Sequence, residues 1–280
     1  MLLSLAILKS ANVTEKYFYG VNQTIFFAQK NRFFLDVVKI LETKLEEVDS
    51  AESFSQIVGM PILLRDDQSD LEGSLNLNSG ATLLDINNLV DDEGQINQPF
   101  YDFLERVLME YSLRDMHFFL ITLVDALDAD DEPRVFESEL ANENPRFKDG
   151  EIASYSAFRS ILDYYAKIRD DRVIYDVPWE DIIGFKKSKT DINYITPRLR
   201  NYLETFYGFN FHFNEDDIIK DQETLESLVF DTSVLDALGI TYYVPLLTCK
   251  MEFSIMERTM QINFNYDLHT KRVGAIETTF

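Results

Sequence analysis

The chain has 280 residues, of which 49 are acidic and 26 basic, giving a net charge of −23, and 46% are apolar. That apolar share supports a buried core and excludes global disorder, and the length allows one large domain or two modest ones. The negative field opposes general binding to phosphate backbones or anionic lipid surfaces and favours cations or basic protein partners.

The first segment, "MLLSLAILK", is apolar, lacks a basic flank and falls well short of the about 20 residues needed to cross a bilayer. It reads as a buried strand or short helix. From Asn31 to Val48, Phe34, Val37, Val38, Leu41, Leu45 and Val48 recur at helical spacing, which predicts a helix burying one stripe. "MPILLRDD" and "LEGSLNLNSGATLLDI" mix apolar runs with Gly, Asn and Ser, the pattern of short strands and turns.

In "NQPFYDFLERVLMEYSL", Asn97 is a candidate cap and Pro99 fits the first turn, where a missing backbone donor is tolerated. Phe100, Phe103, Leu104, Val107, Leu108 and Tyr111 then share a helical face. "MHFFLITLVDAL" is apolar throughout and fits a buried strand or a buried helix equally well.

A polar passage from Asp125 to Glu151 follows, and it sets the expected boundary between subdomains 1–150 and 151–280. A helix is predicted from Ala153 to Ile168, then a strand in "RVIYDVPW" stopped by Pro178. Thr196 as cap, Pro197 in the first turn and Gly208 at the end bracket another helix, and "FNFHF" reads as a strand.

The C-terminus alternates strictly. Cys249, Met251, Phe253 and Ile255 are apolar with polar residues between them, as are Met260, Ile262, Phe264, Tyr266 and Leu268. This is the period of a half-buried strand, and with "VGAIETTF" it predicts an antiparallel meander with one face packed on helices. No repeat of 20 to 50 residues stands out. The fold expected is α+β, with amphipathic helices on antiparallel sheet and a C-terminal β-meander.

Chemistry is harder to find. In "LDADDEPRVFESE", Asp128, Asp130, Glu132 and Glu139 occupy the first, third, fifth and twelfth places of a calcium loop. The sixth place needs a sharply turning glycine, and Pro133 stands there with its φ confined to negative values. "NNLVDDEGQIN" has Gly94 and Ile96 in the right places but Leu89 where the first carboxylate belongs. The first stretch therefore reads as a solvated acidic connection, with Asp128, Asp130, Asp131 and Glu132 as candidates for meeting a basic partner.

His212 with Glu215 and Asp216 is the nearest approach to a metal cluster, with Asp128 and Asp130 as further metal candidates. His212 also alternates with Phe211 and Phe213, which fits an exposed strand residue. Cys249 lies on an apolar strand face, no G-x-S-x-G elbow is present, and neither phosphate-cradling glycine loop occurs. No catalytic residue and no cofactor is assigned.

The one locally basic region contains Lys186, Lys187, Lys189, Arg198 and Arg200, interleaved with Tyr194, Tyr202 and Tyr207. Stacking tyrosines between cations suit a single-stranded nucleic acid, but Tyr202 falls on the predicted buried stripe. Protein docking suits Lys186, Lys187, Lys189 and Arg198 better.

The leading expectation is a non-enzymatic protein-protein interaction or structural subunit of a larger assembly, homo- or hetero-oligomeric and without a membrane partner. The rivals are a carboxylate-based metal-dependent enzyme, an acidic mimic of nucleic acid seated in a basic protein groove, and nucleic-acid contact through 186–200. The single cysteine, Cys249, excludes an intramolecular disulfide framework and fits a cytoplasmic setting.

Overall fold

The computed structural model describes residues 28–66, 71–91, 93–128, 132–144, 147–186, 188–211, 218–255 and 258–279. In chain order the elements are α1 (28–44), α2 (Ala51–Ser55), β1 (Pro61–Asp66), β2 (Leu71–Ser79), β3 (Leu84–Asp85), α3 (Gln98–Tyr111), α4 (Met116–Asp125), α5 (Leu140–Glu143) and α6 (Tyr155–Arg169). They continue with β4 (Ile183–Gly184), β5 (Thr190–Asp191), α7 (Pro197–Tyr207), α8 (Gln222–Glu226), α9 (Ser233–Ala237), β6 (Ile240–Thr241), β7 (Leu246–Ile255), β8 (Arg258–Asp267) and β9 (Arg272–Thr279). The fold is α+β. The "MLLSLAILK" segment lies outside the described residues.

The described residues form two compact units, and the division does not fall at the expected boundary near residue 150. One unit comprises the residues up to Asp49, Ser53–Gly80 and those from Pro245 onward; the other comprises Ser50–Glu52 and Ala81–Val244. Strand pairing explains the difference. β2 pairs antiparallel with β7, so residues 61–79 and 246–279 build one sheet and the residues between them build a separate unit.

In the sheet unit the order is β1-β2-β7-β8-β9, all antiparallel, and β7-β8-β9 is the expected meander. Alternation fixes its register: Cys249 opposes Phe264 and Met251 opposes Ile262, and all four are buried on one face. A slip of one residue would expose the row. Helix α1 covers that face, with the Phe33 ring 5.2 Å from Phe253 and Phe34 5.1 Å from Phe264. The buried stripe of α1 is Phe33, Val37 and Leu41, continued by Leu45 just past its end, so it starts at Phe33 rather than the expected Phe34. Gly73 is required by close approach, since a Cβ there would lie 2.5 Å from the Glu252 carbonyl oxygen.

The other unit is mainly helical. Its centre joins Phe103 of α3, Phe119 of α4, Phe158 of α6 and Trp179, with Trp179 ring distances of 5.6 Å to Phe119 and 5.2 Å to Phe158. The ambiguous "MHFFLITLVDAL" is helix α4, buried at every position from Phe118 to Asp125, which is why no stripe marks it. Asp115 caps it by accepting from the Phe118 N–H at 3.1 Å.

Helix α7 follows its signals closely. The Thr196 hydroxyl accepts from the Leu199 N–H, Pro197 opens the helix, and Gly208 ends it at φ +67°. Asn97 stands at the cap position of α3 but makes no cap bond; its amide donates to Asn88 O at 2.8 Å and to Ala237 O.

Two strand expectations fail. "RVIYDVPW" forms 3-10 turns at Val173–Tyr175 and Trp179–Asp181, held where the Trp179 indole N–H donates to Ile174 O at 3.0 Å. Ile174, Val177 and Trp179 are buried there without a strand partner among the described residues. Phe209 to Phe211 also lie outside any strand, their end rings stacked 5.5 Å apart, and the rest of "FNFHF" lies outside the described residues.

Candidate interaction surfaces

A recess in the sheet unit runs along its edge. Helix α1 contributes Phe33, Val37, Ile40 and Leu41, the turn before β1 contributes Ile57 and Met60, and β1 contributes Ile62 to Leu64; the volume is about 810 Å³. Helical periodicity aims the α1 residues at one side, and among the described residues β1 is an edge strand with β2 as its only strand neighbour. Leu63 is 86% exposed, Met60 56% and Ile40 42%. The rim carries three cations, Arg32, Lys44 and Arg65, and one carboxylate, Asp36. Arg32 lies 3.8 Å from Asp36 and Arg65 3.8 Å from Glu72, so the exposed apolar residues are the chief feature of this surface. Sequence analysis missed it, although Leu63 between Ile62 and Leu64 breaks the apolar and polar alternation of a half-buried strand.

The acidic stretch is built differently from a solvated loop. Asp125 and Asp128 are buried, and Arg134 stands where a loop cation would act as counter-charge. Its guanidinium donates to Asp125 Oδ1 at 2.8 Å, to Asp128 Oδ2, and to Gly94 O at 3.1 Å. The Arg134 backbone N–H and the Ser138 hydroxyl both reach Asp125 Oδ2. The "DDEG" segment and the "LDADDEP" segment, each an incomplete ion loop, thus meet through Arg134. Asp128 is not a surface contact; among the proposed partner acids Glu132 is exposed, while Asp130 and Asp131 lie outside the described residues.

Glu139 is buried beside this network and caps α5, accepting from the Ala141 N–H at 3.2 Å. Burial, with Asp149, Asp125 and Asp128 adding repulsion, pushes its carboxyl up to about 7 against the opposing backbone bond. Among the described residues no group of three His, Cys, Asp or Glu is arranged to hold a metal ion. His212, Glu215 and Asp216 lie outside those residues. Cys249 is buried, and burial pushes its thiol up to about 12, the state of an unreactive packing residue.

The basic residues are placed on separate recesses. Lys189 lines a polar cleft with Asp85, Asp91 and Asp236, whereas Arg198 lies with Thr196 and Asn201 and pairs with Asp181 at 3.7 Å. Lys186 is exposed and Lys187 lies outside the described residues. Two of the tyrosines are committed inside: Tyr202 is buried, and the Tyr207 hydroxyl donates to Pro99 O at 2.9 Å.

A local repeat of only three residues, too short to stand out in the sequence, recurs in this unit. Asp85-Ile86-Asn87 and Asp191-Ile192-Asn193 each follow or complete a two-residue parallel pair, β3 with β4 and β5 with β6. Each Asp accepts from the backbone N–H of its Asn. Each Asn then clamps a distant segment with both ends of its amide: Asn87 holds Ile152, and Asn193 holds Ile219 while also donating to Tyr242 O. Burial pushes Asp191 up to about 7 although Asn193 and Val244 N–H groups oppose the shift. The signal available in the sequence was the pair "LDINN" and "TDINY".

No family model matches the chain, and no curated protein matches it. The fold is similar to that of a chain in the crystal structure of the GspK-GspI-GspJ complex from the enterotoxigenic Escherichia coli type 2 secretion system. The TM-score is 0.60 over 92% of this chain and 99% of that one, at 10% identity. At that identity the likeness concerns the fold. Among the described residues no helix is long and apolar enough to cross a membrane.

Proposed function

We propose that this chain is a non-enzymatic interaction subunit of a larger protein assembly, docking through the recess between α1 and β1. The observation that carries the reading is the apolar edge itself: Ile40, Met60 and Leu63 are exposed together along one recess, beside an edge strand. The structural likeness to a chain from a three-protein secretion-system complex supports the same direction. It also bears on location, because a secretion-system setting stands beside the cytoplasmic one expected from the lone cysteine.

The test is purification of the protein from its native source after mild cross-linking, with the masses of all copurifying chains measured. The reading predicts a defined heteromeric or homomeric complex, and its loss when Ile40→Glu replaces the wild type. Recovery of the wild type as a monomer overturns it.

A further inference from the structure

The two edges of the five-stranded sheet are not equivalent. At one edge, β9 is irregular: its pairing with β8 shifts register between Asn263 and Asn265, so that Ala275 and Ile276 fall between the paired Gly274 and Glu277, and Ala275 takes φ +48°. Bulges and irregular backbone are how sheet edges avoid accepting a further strand. At the other edge, β1 pairs with β2 residue for residue from Pro61↔Asn76 to Asp66↔Leu71 without a shift. In an antiparallel strand, alternate residues turn their N–H and C=O away from the partner. Across Ile62 to Leu64 no backbone hydrogen bond besides the pairing with β2 occurs among the described residues.

The recess lies along this regular edge. Val37 and Ile40 of α1 and Met60 of the preceding turn line it together with β1, as neighbours of an added strand would. Its rim carries three cations, Arg32, Lys44 and Arg65, with Arg32 lying 3.8 Å from Asp36 of the same rim, in a chain whose net charge is −23. Among the described residues Lys44 has no ion pair, whereas Arg65 lies 3.8 Å from Glu72.

We propose that the recess receives an extended segment of a partner protein, which adds to β1 as a sixth strand, places alternate apolar side chains against α1, and carries carboxylates at its ends. Backbone pairing supplies register and affinity, alternate side chains supply selectivity, and the rim selects for acidic ends. The inference rests on the assembly reading for its biological meaning, but its test is separate from that reading.

The probe is the synthetic peptide Glu-Val-Thr-Val-Thr-Val-Glu, titrated into the protein while backbone amide resonances are followed by NMR. The comparison peptides have Lys at both ends, N-methyl groups on alternate residues in either register, or a length-matched amphipathic helix. The expected result is shifts centred on Ile62 to Leu64, at least five-fold tighter binding of the Glu-ended peptide than the Lys-ended one, and loss of binding for one N-methyl register only. Leu63→Lys, a change at an exposed position that adds an edge-blocking charge, should weaken binding about ten-fold.

Equal binding of both N-methyl registers, preference for the helical peptide, shifts confined to other residues such as the β9 edge, or no binding at millimolar peptide would each overturn strand addition. A native complex lost with Ile40→Glu alongside a failed peptide test leaves the assembly reading standing and removes the strand. A monomeric native protein alongside a successful peptide test does the reverse.

Discussion

Arg134 donates to Asp125 Oδ1 at 2.8 Å, and this pair decides the character of the acidic stretch. The Asp125 side chain has no exposure, whereas that of Arg134 retains 30%. Removing the guanidinium leaves a buried carboxylate without its counter-charge, a change that costs about 3–5 kcal/mol in buried pairs. The partial exposure of Arg134 places Arg134→Met toward the lower end, about 3 kcal/mol by urea unfolding. The double variant Arg134→Met/Asp125→Asn should recover part of that loss, because one of the two stranded carboxylates is gone while the buried Asp128 remains. A single variant as stable as the wild type would show that the pair contributes nothing net.

Glu139 and Asp191 predict a pH dependence with a definite sign. Both are acids whose folded values lie above their ordinary ones, Glu139 at about 7 from 4.5 and Asp191 at about 7 from 3.8. The folded state therefore holds the proton more tightly than the unfolded chain, and stability from this source is complete below the unfolded values. It is lost as pH rises from about 4 toward 7. Unfolding free energy measured from pH 4 to 8 should fall more steeply for wild type than for Glu139→Gln or Asp191→Asn. Parallel profiles would contradict the assignment.

The Asn193 amide bonds to three backbone groups of two distant segments: Ile219 N–H, Ile219 O and Tyr242 O. Asn193→Ala should cost about 2–3 kcal/mol, since buried backbone groups left unpaired each carry a desolvation penalty of about 1–3 kcal/mol. Asn87→Ala removes the corresponding clamp on Ile152 and should cost somewhat less. Hydrogen exchange should rise at Ile219 in the first variant and at Ile152 in the second. Exchange unchanged at both sites would refute the clamp.

Gly239 takes φ +66°, and a Cβ there would lie 2.7 Å from Asn88 Nδ2. Gly239→Ala combines left-handed backbone strain with displacement of the Asn88 side chain, so a loss of about 1–3 kcal/mol is expected. A thermal midpoint equal to wild type would mean that Asn88 moves aside at no cost.

How much of this was legible depended on whether a pattern had one wet side. The meander was, because Cys249, Met251 and Phe253 alternate with polar residues and can face only one way. Helix α7 was, because Thr196, Pro197 and Gly208 mark both ends chemically. Helix α4 was not: burial on all sides erases the period that separates helix from strand. Residues 173–179 looked like a strand because apolar content alone does not specify a partner, and none is present among the described residues.

The candidate sites were legible in type more than in place. Pro133 argues against a glycine-centred ion loop, whereas the role of Arg134 depends on Asp125 and Gly94, which the loop pattern does not include. The recess could not be read at all, since it depends on β1 becoming a sheet edge. That position follows from the long-range pairing of β2 with β7.

The central claim is docking through the edge recess, and a paired comparison of wild type and Ile40→Glu tests it most directly. Ile40 is an exposed position, so the substitution should change stability by no more than about 0.5 kcal/mol. The mass of the native-source complex, measured after cross-linking and sedimentation, should exceed that of the single chain for the wild type and fall to it for the variant. A wild type that sediments as a lone chain, or a complex that survives Ile40→Glu unchanged, would contradict the account.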